Sequence, residues 1–175
     1  KTEAAGSARP GQFISMYTND GSKLLPRPIS ICEIDKEGGK LRVVYRVTGE
    51  KTGTEEFSQM KAGDTIPVIG PLGNGFPFEK AEGKKVFLMG GGIGVPPILE
   101  LAKQMECEKK QIVVGYRDAH TFLKEEFEQA GELYISTEDG SVGTKGNVMD
   151  AIRENALEAD MIYACGPTPM LRAIK

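Results

Sequence analysis

The 175-residue sequence contains a single histidine, His120, and no tryptophan. One imidazole excludes zinc sites built on several histidines, and it excludes any relay that hands a proton from one histidine to a second. The three cysteines, Cys32, Cys107 and Cys165, lie more than fifty residues apart and form no C-x-x-C pair. Neither a zinc ribbon nor an iron–sulfur loop is spelled by them, so no metal site is expected from these residues. An odd count without disulfide-like spacing fits a reducing compartment. No stretch approaches the roughly 18 consecutive apolar residues of a membrane span, and no charged-then-apolar signal region opens the chain. A cytoplasmic protein without a membrane span is expected. Nor is there an excess of positive charge: 22 Lys and Arg against 25 Asp and Glu give a net charge of −3. That balance argues against nucleic acid as a partner, because phosphate-backbone binding needs a basic surface.

What is abundant is glycine, at 22, with 10 prolines, which predicts many tight turns. The pattern changes at the charged run 79–85, Glu-Lys-Ala-Glu-Gly-Lys-Lys, and this is read as a linker between a domain over residues 1–80 and another over 85–175. Before it, short β-rich runs over 12–17, 28–34, 40–47 and 65–69 alternate with turn signals at Asn19-Asp20-Gly21, Glu37-Gly38-Gly39 and Ala62-Gly63-Asp64. Leu41, Val43, Tyr45 and Val47 follow the two-residue period of a half-buried strand. A small antiparallel barrel or sandwich is expected there. After the run, strands over 86–89, 111–116, 133–136 and 161–165 alternate with helices over 96–106, 121–130 and 147–155 and one opening at Pro167 or Pro169. Four strand-then-helix repeats predict a doubly wound α/β domain with a parallel sheet and its ligands at the carboxyl ends of the strands.

Two runs fall at such strand ends. In Gly90-Gly91-Gly92-Ile93-Gly94-Val95-Pro96-Pro97, glycine permits positive φ and close backbone approach while proline suits a first helical turn. Unpaired helix amides at such a loop form a natural pyrophosphate site. The spacing is neither G-x-G-x-x-G nor a P-loop, and a tight strand-to-helix turn without a ligand is the alternative. Cys165-Gly166-Pro167 occupies the equivalent position after the fourth strand; Cys165 either packs beside a reacting ring or is a small buried hydrophobe. The run 136–146 is rich in hydroxyls and glycine, fit for a ribose or phosphate or simply an exposed turn. Asp118, about 25 residues past the glycine loop, would accept hydrogen bonds from an adenosine 2′-hydroxyl and repel a 2′-phosphate, favouring NAD over NADP, although Arg117 points the other way. In the first half, Arg27-Pro28-Ile29-Ser30 joins the side chain suited to bidentate phosphate recognition to a strand hydroxyl. Lys51-Thr52-Gly53-Thr54 reads as a second phosphate-holding helix start.

In order, Arg27–Ser30, Tyr45-Arg46-Val47, Gly53-Thr54, Gly70-Pro-Leu-Gly-Asn-Gly-Phe76, Gly90–Pro97, Asp139-Gly-Ser-Val-Gly-Thr-Lys-Gly146 and Cys165-Gly166-Pro167 resemble the ferredoxin reductase superfamily. Within it they are most similar to the electron-transfer subunits of class 1B dihydroorotate dehydrogenases, over roughly residues 10–175. The resemblance implies an N-terminal antiparallel FAD-binding β-barrel followed by a doubly wound NAD-binding domain, with the flavin at their junction. It implies that Arg27 pairs with the FAD pyrophosphate and that Ser30, after Pro28 and Ile29, is the neighbour of flavin N5. Tyr45, Arg46 and Val47 would line the ribityl and adenine side, and Gly53 and Thr54 would hold the diphosphate through backbone amides. Gly90, Gly91, Gly92, Ile93, Gly94, Val95 and Pro96 would cradle the NAD diphosphate, with Cys165, Gly166 and Pro167 near the nicotinamide.

The implied activity is electron relay in pyrimidine biosynthesis, from an FMN-containing catalytic dihydroorotate dehydrogenase subunit through a [2Fe–2S] cluster and FAD to NAD⁺, in a heterotetramer. No side-chain acid or base is then required, since the cofactors carry the chemistry. Three departures stand out: Ile29 occupies the place of a tyrosine found in many relatives, no opening barrel strand is evident in residues 1–9, and the family's four-cysteine cluster segment would follow Met170. The small flavoprotein subunit of an NADH-dependent ferredoxin–NADP transhydrogenase, or of a related hydrogenase or sulfide-linked complex, is the alternative enzyme. A dinucleotide-binding interaction module without turnover is the alternative of another class.

Overall fold

A computed structural model describes residues 1–175. The chain divides into two compact units, residues 1–75 and 76–175. The division thus falls ahead of the charged run 79–85. That run lies inside the second unit because Phe78–Ala81 forms a 3-10 turn with Ala81 fully buried, and because Phe76 packs edge-on against Tyr163.

The first unit is built on a four-stranded antiparallel sheet in the order β3-β2-β1-β4. Its strands are β1 (Phe13–Met16), β2 (Arg27–Asp35), β3 (Lys40–Val43) and β4 (Val68–Leu72). A short helix, α1 (Gly53–Ser58), lies between β3 and β4 in sequence. One face of the sheet carries Ile14, Met16 and Ile31, which close on Ala8 and on Phe57 of α1. Residues 1–9 hold no strand; a 3-10 turn over Glu3–Gly6 is tied to the β2–β3 hairpin by Thr2 N–H donating to Gly39 O at 2.8 Å. The strand expected to run to Val47 stops at Val43. Beyond it, Tyr45 turns edge-on to Phe57, with ring centroids 6.1 Å apart, and the Thr48 amide donates to the Thr54 hydroxyl. Contacts to α1 replace the ladder bonds that an extension of β3 would have made.

The second unit is a five-stranded parallel sheet in the order β8-β7-β6-β5-β9. It comprises β5 (Lys85–Gly91), β6 (Lys109–Tyr116), β7 (Glu132–Thr137), β8 (Thr144–Lys145) and β9 (Met161–Cys165). The helices are α2 (Pro96–Gln104), α3 (Lys124–Ala130), α4 (Val148–Glu154) and α5 (Thr168–Ile174). Strand β5 is buried from Val86 to Gly91, as expected of a central parallel strand covered on both faces. Ile98, Leu99, Leu101 and Ala102 of α2 are fully buried. Helix α4 starts on a reciprocal cap in which Asn147 and Asp150 satisfy each other's backbone amides, the arrangement that fixes a helix start. The two-residue β8 was not anticipated, being too short to carry a strand pattern. From β5 the chain steps outward to β6, β7 and β8, then returns to place β9 on the other side of β5. That reversal is a topological switch point, where open parallel sheets bind ligands.

One feature beside the carboxyl end of β6 is energetically unfavourable. Ser136 Oγ is fully buried without a hydrogen-bond partner. A buried hydroxyl without a partner costs about 1–3 kcal/mol. Ser136→Ala is therefore expected to raise stability by about 1 kcal/mol, read as a higher denaturation midpoint at constant slope; a lower midpoint would contradict this.

Candidate functional site

At the switch point, β5 and β9 run in parallel register with Gly90 opposite Cys165. The chain leaves β5 through a 3-10 turn over Gly92–Gly94 and enters α2 at Pro96. Each glycine of this loop answers a different constraint. A Cβ on Gly94 would lie 2.4 Å from the Cys165 carbonyl oxygen and 2.7 Å from Gly166 Cα. A Cβ on Gly90 would lie 2.9 Å from Val95 Cα, and one on Gly91 would lie 2.5 Å from Met170 Sδ. Gly92 alone faces open space, and it needs glycine for its φ of +53°. Only Gly92 and Ile93 are exposed; Gly90, Gly91, Gly94, Val95 and Pro96 are buried. The close approach legible in the sequence is therefore largely one loop against the next.

The expected array of free helix amides is also reduced. Pro96 and Pro97 have no N–H, Val95 N–H donates to Gly92 O, and Ile98 N–H donates to Val95 O. The amides of the turn 92–94 are the donors this loop has to offer an anion. Burial pushes the Cys165 thiol up from its ordinary range, so it is a neutral lining group rather than a thiolate.

Two further loops leave the same edge of the sheet, because all its strands are parallel. After β6, Asp118 accepts from His120 N–H at 2.9 Å and from His120 Nδ1 at 2.7 Å; these bonds hold its carboxyl below the usual range. After β7, Asp139 accepts from the Ser141 amide and hydroxyl, and its amide donates to Arg117 O. The Ser141 bonds depress the Asp139 carboxyl, while the nearby Asp118 charge opposes them. Two carboxylates thus lie near one another in the loops that follow β6 and β7. In the turn that follows, a Cβ on Gly143 would lie 2.1 Å from Ile135 O.

In the first unit, β2 presents Arg27 and Ile29 on one face and Pro28 and Ser30 on the other, by the alternation of a strand. Ile29 packs against the Ile14–Met16–Ile31 cluster, while Ser30 pairs across the ladder with Phe13. Arg27 reaches the start of α1: a Cβ on Gly53 would lie 2.9 Å from Arg27 Nε and 3.0 Å from Cζ. The guanidinium also donates to Leu25 O. The structure thereby joins two motifs 26 residues apart in the sequence.

The loop 19–23 is fastened to α1 by Glu56, which accepts from Asn19 N–H and from Lys23 Nζ, both at 2.9 Å. The Thr54 hydroxyl, 5% exposed, meets Thr48 N at 3.1 Å, Thr48 Oγ1 at 3.2 Å and Thr52 Oγ1 at 3.0 Å. Thr52 Oγ1 in turn donates to Gly49 O. This hydroxyl chain fixes the loop that follows Tyr45, Arg46 and Val47, of which Arg46 and Val47 are exposed. The Gly53 and Thr54 amides precede the first intrahelical bond, from Glu56 N to Thr52 O, and so have no carbonyl partner within the helix. Thr52 lies in the helix start that the sequence singled out, but its hydroxyl contacts were not foreseen; Thr48 and the packing role of Met170 were missed, the visible signals being the threonine spacing 48-52-54 and the placement of Met170 on a predicted helix opening at Pro167.

A parallel sheet with glycine turns at its switch point, preceded by an antiparallel sheet with an arginine over a glycine helix start, is the fold of flavin-dependent, ferredoxin-reductase-like oxidoreductases. The chain belongs to the oxidoreductase NAD-binding domain family, whose description matches residues 88–175. It is 47% identical over 171 residues to the dihydroorotate dehydrogenase B (NAD(+)) electron transfer subunit of Bacillus caldolyticus, covering 95% of this chain and 66% of that protein. It is 45% identical to the same subunit from Caldanaerobacter subterraneus, covering 95% of this chain and 64% of that one. The chain thus spans just under two thirds of the length of these relatives. Among solved structures, an NADH-dependent reduced ferredoxin-NADP oxidoreductase aligns with a TM-score of 0.84 and 33% identity, over 98% of this chain and 62% of that one. A flavohemoglobin from Malassezia yamatoensis, at 19% identity and a TM-score of 0.75 over 95% of this chain and 47% of that one, shares the fold. No helix is long and apolar enough to cross a membrane.

Proposed function

We propose that this chain is the FAD- and NAD-binding portion of the electron-transfer subunit of a class 1B dihydroorotate dehydrogenase. The observation that carries the reading is that one chain holds both an arginine seated over a glycine helix start and a glycine-turn switch point. The first suits a diphosphate because a guanidinium and free backbone amides converge there. The second suits a dinucleotide laid across strand ends. On this reading Arg27 and the Gly53 and Thr54 amides hold the FAD diphosphate, Ser30 lies by flavin N5, and the segment Tyr45–Val47 lines the rest of the cofactor. Gly92 and Ile93 meet the NAD diphosphate, with Cys165, Gly166 and Pro167 at the nicotinamide end. Asp118 and Asp139 at the adenosine end disfavour a 2′-phosphate, which selects NAD over NADP. The bound flavin supplies the exchange of one or two electrons and of hydride; the protein's own groups bind and orient it and its nicotinamide partner.

The residues present do not fit an iron–sulfur cluster: Cys32, Cys107 and Cys165 are free, and no three His, Cys, Asp or Glu side chains converge on a metal site. A catalytic partner subunit is proposed for the whole protein on the strength of the relatives' names; a [2Fe–2S] centre, FMN in that partner and a heterotetramer are proposed on the resemblance of the motifs alone. The likeness to the NADH-dependent reduced ferredoxin-NADP oxidoreductase supports a second reading, in which the partner belongs to a ferredoxin-linked complex. Full-length protein mixed with each class of partner separates the two. Dihydroorotate-dependent reduction of NAD⁺ is the expected result, and coupling to reduced ferredoxin alone would favour the second reading.

A further inference from the structure

Gly91 ends β5 and Gly166 follows the end of β9, and one side chain lies against both. A Cβ on Gly91 would fall 2.5 Å from Met170 Sδ, and a Cβ on Gly166 would fall 2.6 Å from Met170 Cε and 2.9 Å from its Sδ. A Cβ on Gly166 would also lie 3.3 Å from Gly91 N, so the two loops run close together. Met170 lies in the first turn of α5, partly buried, and packs onto the cluster of Phe87, Met89 and Val113 beneath the sheet's carboxyl edge. The thioether therefore fills the slot left by two missing side chains, one on each loop of the switch point.

We infer that Met170 is a positioning residue for the dinucleotide: its thioether sets the spacing between the 90–97 loop and the 165–167 loop. This rests on the reading of those loops as the NAD site. An unbranched, polarizable side chain conforms to an irregular slot. Close-packed interiors tolerate neither an emptied slot nor an overfilled one. Truncating Met170 lets the two loops relax toward each other. A methyl group on Gly91 displaces the thioether from the slot that it fills.

The test is a double-mutant cycle on the purified chain, with NADH affinity measured by calorimetric titration and thermal midpoints recorded alongside. Met170→Ala and Gly91→Ala should each weaken NADH binding, and Met170→Leu should stay near wild type. The combined Gly91→Ala/Met170→Ala variant should bind at least about three-fold more tightly than the two single effects multiplied together predict, as contacting residues do. The new methyl then enters space that the thioether has left. A merely structural role would lower the midpoints without that coupling in NADH affinity. Multiplicative effects, or unchanged binding by Met170→Ala, would overturn the inference. If Met170→Ala fails to fold, Met170→Val, which withdraws Sδ and Cε while keeping apolar bulk, takes its place in the cycle under the same criteria. Wild-type chain that binds no NADH would instead overturn the dinucleotide reading of the loops, and the role of Met170 with it.

Discussion

Gly94→Ala is expected to abolish NADH binding and to destabilise the second unit by about 3 kcal/mol or more, the upper end for overpacking a tight interior. The added methyl carbon would sit 2.4 Å from the Cys165 carbonyl oxygen and 2.6 Å from its carbon. Those are backbone atoms of β9, held by the ladder to β5, so no side-chain rotation relieves the clash. Gly92→Ala is the contrasting control. It meets nothing within 4 Å, and its cost is the left-handed backbone alone, about 1–2 kcal/mol. Equilibrium denaturation of both variants beside the wild type checks the pair. Equal losses would mean that the loop does not press on β9 as described.

Arg27→Ala is expected to weaken FAD binding by about ten- to a hundred-fold, the worth of one or two charge-assisted hydrogen bonds, while leaving the thermal midpoint of the apoprotein nearly unchanged. Arg27 is only partly buried, and its role in the fold is limited to its bond to Leu25 O and its packing over Gly53. Arg27→Lys should recover only part of the affinity, because an ammonium cannot present the planar fork that a diphosphate engages. Fluorescence titration with FAD reads both outcomes. Full affinity in Arg27→Ala would remove Arg27 from the flavin site.

The sequence made the parallel half more legible than the antiparallel half, for a physical reason. Buried parallel strands such as Val86–Met89 are continuous apolar runs, and each is followed by a helix with a proline, capping or glycine signal, so type and order are both written locally. Strand order is not local. That β9 returns beside β5 follows from pairing between segments about 75 residues apart, and only this pairing makes the 90–97 and 165–167 loops one site. In the antiparallel half, the alternation through Tyr45 and Val47 was genuine as a pattern, but Tyr45 spends its apolar face on Phe57 of α1 rather than on a ladder.

The site was legible as residue types and not as reasons. Glycine after β5 was visible as a signal for close approach; that Cys165, Gly166, Val95 and Met170 are what approach it depends on tertiary packing. Likewise Arg27 and Gly53 were linked only by the family resemblance until the fold placed one over the other. Thr48 was not singled out as a site residue, and Thr52 only as part of a helix start, because a hydroxyl chain is defined by its partners and not by composition.

The most direct test of the account is an anaerobic absorbance titration of the FAD-incubated chain with NADH and, separately, NADPH. The account predicts that the protein retains a flavin spectrum, that NADH bleaches it in proportion to the amount added, and that NADPH is a far weaker reductant. A chain that takes up no FAD, or one whose flavin remains oxidised under NADH, would contradict it.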